Sequence, residues 1–285
     1  MQIDLLIKNG QVVTAAHKEY PVRGKEMQQL KVIDQGWVAC AGDKIVAVGT
    51  KNTVQGQVEI TGKTQVIDAT GQVVTPGLID PHTHLIFGGS RENEFYLRAQ
   101  GAEYMDIMAS GGGIASSVRS TRKASLDELI ASGRQRLNWM LSMGVTTIEC
   151  KSGYGLDLET ELKQLEAVRI LQDEQPVELV STFLGAHAWP EEFQHDREGY
   201  VDFLINTVLP RIKKENLAEY VDVFTEKGVF SVHQSRRIFQ KAKELGFKLR
   251  VHADEMNTLG GAELAAEMGM SSADHLLMIS DQGIE

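Results

Sequence analysis

From Val73 onward the chain repeats one alternation, a short apolar run followed by a longer amphipathic stretch. The runs are GLIDPHTHL, VTTIEC, VELVSTFLG, VDVFT, KLRVHA and SADHLL. Near-continuous apolar strands separated by helical patterns point to a parallel sheet, in which helices cover the strands and carry each crossover. The helix punctuation between the runs agrees. Ser125 with Glu128 and Ser231 with Gln234 read as capping boxes, and Gly144, Gly246 and Gly269 read as stops. The helix beginning near Leu158 ends before Pro176.

The first seventy residues follow a different rule, alternating apolar and polar residues in IDLLI, WVACA, KIVAV and TQVIDA. Period two is the signature of half-buried strands, and Asn9-Gly10 and Gly42-Asp43 read as tight turns between them. A small β-domain is expected over 1–72 and a barrel domain over 73–285. The 285 residues would accommodate a (β/α)8 TIM-type barrel, which takes roughly 250. The apolar runs supply about six βα units, and Ser280-Asp281 looks like the cap of a helix that has only just begun. An incomplete barrel is therefore predicted, with open sheet edges, as in a fragment.

Charge narrows the partners. The formal net charge is −10 with acidic and basic residues interspersed and no Lys/Arg block, which argues against nucleic acid and anionic membrane as targets. A small molecule is the expected partner. The start of the chain lacks a basic segment followed by an apolar one, and no apolar run approaches the ~20 residues of a membrane span, so a cytoplasmic protein is expected. Cys40 and Cys150 are expected to be reduced thiols serving as structural filler.

The chemistry gathers at strand ends. His82 and His84, in Asp80-Pro81-His82-Thr83-His84, are two residues apart and project to the same side of a strand, where both imidazoles can reach one metal. Such a pair also occurs as two ordinary histidines, so further ligands must decide. His252, in VHADE, ends another apolar run. Three neutral imidazoles with a position open to water describe a catalytic zinc or iron site, in which water falls from a pKa of 15.7 to about 7. Glu255 lies three residues past His252, suited to moving a proton between the water and a leaving nitrogen.

His275 is expected to hydrogen-bond the attacking water or a substrate oxygen, and His187, in LGAHA, to donate to a developing oxyanion or simply to pack in the core. Arg91, following the HxH strand in FGGSRE, could hold a carboxylate through its planar fork, or sit in an exposed salt bridge. Tyr154, in KSGYG, and less securely Tyr104, offer an aromatic face with a hydroxyl. Gly111-Gly112-Gly113 lacks the Lys and Ser/Thr of a phosphate loop and reads as a flexible loop.

Taken in order, PGLIDPHTHLIFGGSRENE, KSGYGL, FLGAHA, FTEKGVFS, VHADE and SADHL resemble the imidazolonepropionase family of the metal-dependent amidohydrolase superfamily, over nearly the whole chain. The HxH pair alone would indicate only the superfamily, whereas FGGSRE, KSGYGL and GAHA together are specific to the family; Asp157 after KSGYGL is a minor departure. The resemblance implies a barrel with a small N-terminal β-sandwich domain, one Zn2+ or Fe3+ per subunit held by His82, His84 and His252, and a homodimer. It implies that Arg91, Tyr154, His187 and Glu255 contact substrate, and that Glu255 with His275 transfers protons. The implied reaction is hydrolysis of 4-imidazolone-5-propanoate to N-formimidoyl-L-glutamate in histidine degradation, with Arg91 on the propanoate of this anionic substrate. The family pattern continues through two further barrel strands bearing an Asp ligand and an Asn and a Gly that contact substrate, which implies a C-terminally truncated chain. Two rivals remain open at this point: a deaminase of a heterocyclic amine in the same superfamily, and a non-catalytic truncated remnant.

Overall fold

The computed structural model describes residues 1–15, 22, 24–102 and 111–285. They form two compact units, Met1–Gly77 and Leu78–Glu285. The first unit is built on β1 (Leu5–Thr14), β2 (Lys31–Ala41), β3 (Lys44–Gly49), β4 (Gln65–Asp68) and β5 (Val73–Val74), with a short helix α1 (Lys51–Gln55) after β3. Its sheet runs in the order β3-β2-β1-β4, with β5 also on β1, a single layer of the expected sandwich among the described residues. Ile3, Leu6, Trp37, Ala39, Ala47 and Val54 form its core.

Two expectations for this unit need correction. Asn9-Gly10 is not a turn between strands but a bulge inside β1, where Asn9 has φ 64° and the register to β2 shifts between Ile7 and Gly10. A side chain at Gly10 would meet Val74 Cγ2 at 2.7 Å, so the bulge is also where β5 packs closely. The boundary falls after Gly77 rather than after residue 72, because Val73 and Val74 pair with Gln11 and Val12 of β1. Gly42-Asp43 does turn β2 into β3, joining Ala41 to its partner Lys44.

The second unit contains the six expected strands, β6 (Leu78–Thr83), β7 (Val145–Lys151), β8 (Glu178–Ala186), β9 (Tyr220–Thr225), β10 (Lys248–Ala253) and β11 (Ser272–His275). All neighbours are parallel and in sequence order. Its helices are α2 (Glu92–Ala99), α3 (Ile114–Lys123), α4 (Leu126–Ser142), α5 (Leu158–Glu174), α6 (Arg197–Phe203), α7 (Leu209–Glu215), α8 (Val232–Glu244), α9 (Gly261–Met268) and α10 (Asp281–Ile284). Both capping boxes are present, Ser125 with Glu128 on α4 and Ser231 with Gln234 on α8. Each such cap stabilises its helix by about 1 kcal/mol. Gly113 is the N-cap of α3, and Gly269 ends α9 in the left-handed conformation.

Alternation along the strands sorts two environments. Ile148, Cys150, Val221, Val223, Val251 and Ala253 join the hydrophobic clusters that include the helices. Their sequence neighbours Glu149, Lys151, Asp222, Arg250 and His252 project to the other face, where they and Asp274 of β11 bond to one another. The curved sheet brings its first and last strands together at this polar face, with Arg250 Nη2 2.8 Å from the Pro81 carbonyl and His82 Nδ1 2.8 Å from Asp274. No helix among the described residues is long and apolar enough to cross a membrane. Cys40 is half-buried, Cys150 is buried, and neither is in a disulfide.

Candidate metal centre

His82 lies on β6, His84 just beyond its end, and His252 near the end of β10. One nitrogen from each converges so that all three lie within 4.8 Å of one another. The tautomers follow from the partners. His82 Nδ1 is 2.8 Å from Asp274 Oδ2 and His252 Nδ1 is 3.0 Å from Asp222 Oδ1. An ionised carboxylate only accepts, so both Nδ1 atoms carry the proton and both Nε2 lone pairs are left free. His84 Nδ1 is buried without a hydrogen-bond partner, an orphan that a ligand position explains. Burial, reinforced by His187, His252, Lys151 and His82, holds His84 well below the ordinary imidazole range, in the neutral form that can ligate.

Beneath the histidines sits a charge cluster that sequence reasoning missed. Lys151 is fully buried, its Nζ 2.8 Å from Asp222, 3.0 Å from Glu149 and 3.4 Å from Asp274. Burial alone would lower its pKa, but Asp222, Glu149 and Asp274 reverse the sign and raise it. Asp222 also accepts from the His252 backbone N–H at 3.1 Å. Both Asp222 and Asp274 are held below the usual carboxylate range against the opposing effect of burial, Asp222 chiefly by His252 and Lys151, Asp274 by His82, Lys151 and Arg250. The available signals were an Asp within the apolar run VDVFT and a Glu and Lys two apart in IECK.

His187 is stacked on His84, with ring centres 4.8 Å apart, and Tyr154 lies 4.7 Å from His84. Burial takes His187 down to about 3, and its Nδ1 is 2.9 Å from the Gly153 carbonyl. A carbonyl only accepts, so Nδ1 holds the proton and Nε2 of the neutral ring accepts. In that tautomer the free Nε2 is an acceptor, whereas donation to an oxyanion would need a proton there. The loop carrying Tyr154 is fixed by Glu161, which accepts from the backbone N–H groups of Gly153, Gly155 and Leu156 at 3.1, 2.9 and 2.8 Å. Gly153 is required there, since φ is +101° and a Cβ would meet the Leu184 carbonyl at 2.7 Å.

Glu255 and His275 lie side by side, with Oε2 3.6 Å from Nε2. The His275 ring centre is 5.0 Å from that of His82 and 5.1 Å from that of His252. Asp254 fastens the Glu255 loop by accepting from the backbone N–H groups of Leu259, Gly260, Gly261 and Ala262. Glu226 accepts from Met256 and Asn257 on the other side. Arg91 is the N-cap of α2, 3.9 Å from Glu94, with no hydrogen bond or ion pair to the histidines among the described residues. Tyr104 lies outside the described residues.

Parallel strands deliver these imidazoles to a common point at their carboxyl ends, where barrel active sites are assembled. A profile described as "Amidohydrolase family" matches residues 65–110, the segment containing the HxH pair. Imidazolonepropionase from Alkaliphilus metalliredigens is 53% identical over 286 residues, covering 100% of this chain and 68% of the relative. Imidazolonepropionase from Alkaliphilus oremlandii is 51% identical with the same coverage. An adenosine deaminase from Xanthomonas campestris, solved with bound zinc, matches with a TM-score of 0.59 at 14% identity, covering 99% of this chain and 60% of that one. That likeness shows the fold alone. The chain belongs to the imidazolonepropionase family, and is a hydrolase by that membership.

Proposed function

We propose that this chain hydrolyses the cyclic C–N bond of 4-imidazolone-5-propanoate, giving N-formimidoyl-L-glutamate, as a step of histidine degradation. The observation that carries this reading is the convergence of His82, His84 and His252, in a chain of this family. The donor set suits one Zn2+ or Fe3+, and the orphaned His84 nitrogen fits such an occupant. When bound, the ion supplies a nucleophilic water at neutral pH.

The protein groups account for the rest of the reaction. Water oxygen bonds to the ring carbonyl carbon, the ring C–N bond breaks, and the nitrogen takes up a proton. Glu255 accepts the proton of the attacking water and delivers it to the leaving nitrogen, with His275 at 3.6 Å sharing that proton. His187 accepts from a ring N–H, and Tyr154 packs beside it, 5.3 Å between ring centres. Arg91 leaves Glu94 to pair with the propanoate carboxylate. The protein works as a homodimer, which sedimentation of the purified chain would test.

The deciding experiment combines elemental analysis with the decay of 4-imidazolone-5-propanoate absorbance. Close to one equivalent of zinc or iron together with turnover supports the reading. Ammonia released in one step from a heterocyclic amine, with no decay of the imidazolone, would overturn it in favour of a deaminase.

A further inference from the structure

Among the described residues Lys151 makes no hydrogen bond to a histidine, yet it bonds to both carboxylates that orient metal-ligand candidates. Its Nζ is 2.8 Å from Asp222, which accepts from His252, and 3.4 Å from Asp274, which accepts from His82. The two histidines come from β10 and β6, strands separated in the sheet by β9, β8 and β7. We infer that Lys151 is a positioning residue that locks His82 and His252 into one mutual geometry by clamping their two carboxylates from below. This deepens, and rests on, the reading of His82, His84 and His252 as a metal site.

The physical case rests on competing demands. Two carboxylates that meet at one ammonium repel each other, and without a shared cation each would turn toward solvent or swing off its imidazole. Either change removes the acceptor that fixes the Nδ1–H tautomer and the ring plane of its histidine. Asp274 has a second cation, with Arg250 Nη2 3.3 Å away, so its arm is held twice. Asp222 is bonded to no cation other than Lys151 and the His252 imidazole among the described residues. The clamp therefore acts most strongly on His252. Glu149 sets the ammonium from the remaining side at 3.0 Å but bonds to neither histidine, so its contribution is charge rather than orientation.

The test uses the full chain and reads Zn2+ affinity by competition with a chromophoric chelator, together with the visible absorption of the Co2+-loaded protein. Three variants are compared: Lys151→Met, Glu149→Gln, and Lys151→Met/Glu149→Gln. The double variant removes one positive and one negative charge, keeping the cluster's net charge and guarding against a failure to fold. Circular dichroism and the melting temperature of the metal-free proteins report folding separately. The clamp predicts a ten- to hundredfold loss of Zn2+ affinity and a changed Co2+ spectrum in both proteins lacking Lys151, with Glu149→Gln within about twofold of the parent. Parental affinity and spectrum in the folded double variant would overturn the clamp while leaving the metal reading intact. So would an equal loss in Glu149→Gln, since charge alone would then explain the effect. Failure of the parent chain itself to take up stoichiometric Zn2+ or Co2+ would remove the metal reading first.

Discussion

Beneath the histidines, Lys151 and Asp222 are fully buried and bonded to partners on other strands; at the segment following β6, Arg91 has 42% of its side chain exposed and, among the described residues, that side chain pairs with the nearby Glu94 alone. Both regions belong to the unit Leu78–Glu285, but only the flank was expected to serve the reaction. The floor is made of groups whose positions are over-determined, as befits a device that must hold three imidazoles in fixed relation. Around Arg91, the helix α2 buries none of its residues, and Phe95 and Tyr96 on it are exposed. Under the proposed function, the preformed floor would keep the reactive geometry and the lightly held flank would receive the substrate.

That contrast can be broken experimentally. His252→Ala is expected to lose the metal and the activity together, and metal content is the measurement that matters. Full metal occupancy in this variant would show that the floor is not the ligand frame. Asp222→Ala leaves Lys151 short of its nearest carboxylate, and urea unfolding should show a loss of about 3–5 kcal/mol, as for other broken buried ion pairs. A change below 1 kcal/mol would mean that the floor is no more determined than the flank. Glu255→Gln should keep its metal while kcat falls by about 10²–10⁴, the usual worth of a positioned proton carrier.

Arg91→Gln is expected to raise KM by about 10–100-fold with the melting temperature unchanged, since a charge-assisted hydrogen bond is worth about 1.5–3 kcal/mol and little of the fold depends on this side chain. A lowered melting temperature would erase the distinction between the regions. The smallest effect concerns Glu226. Burial tends to raise its pKa, but its bonds to Met256, Lys227 and Asn257 win and hold it below the ordinary value. Its contribution to stability is thus present above the unfolded pKa near 4.5 and is lost as pH falls through the lower folded value. Melting curves of the parent between pH 6 and pH 3 should fall more steeply than those of Glu226→Gln.

The parts of the site carried by short-range spacing were readable in the sequence. His82 and His84 two apart on a strand, His252 and Glu255 across a strand end, and the six apolar runs all follow from period and position. The floor was not readable in that way. Asp222 acquires its role only because β9 lies beside β10, and Lys151 only because the sheet curves until β7 faces β11 across the interior. In a linear reading each is a charge interrupting an apolar run. Asn9-Gly10 erred in the opposite direction, since a strong local turn signal was overridden when β1 continued past it to pair with both β4 and β5. The role of His187 depended on a single bond to Gly153, which decides which of its nitrogens is free.

The ionic cluster around Lys151 also constrains how a sequence like this one could change over generations. Glu149, Lys151, Asp222, Arg250 and Asp274 come from four strands, and replacing Lys151 alone strands the Asp222 carboxylate in the interior. Single exchanges there are penalised while matched pairs are tolerated, so drift across the cluster must proceed through coordinated double replacements. An effort to re-engineer the centre for another ring would have to carry these positions over together or redesign them together.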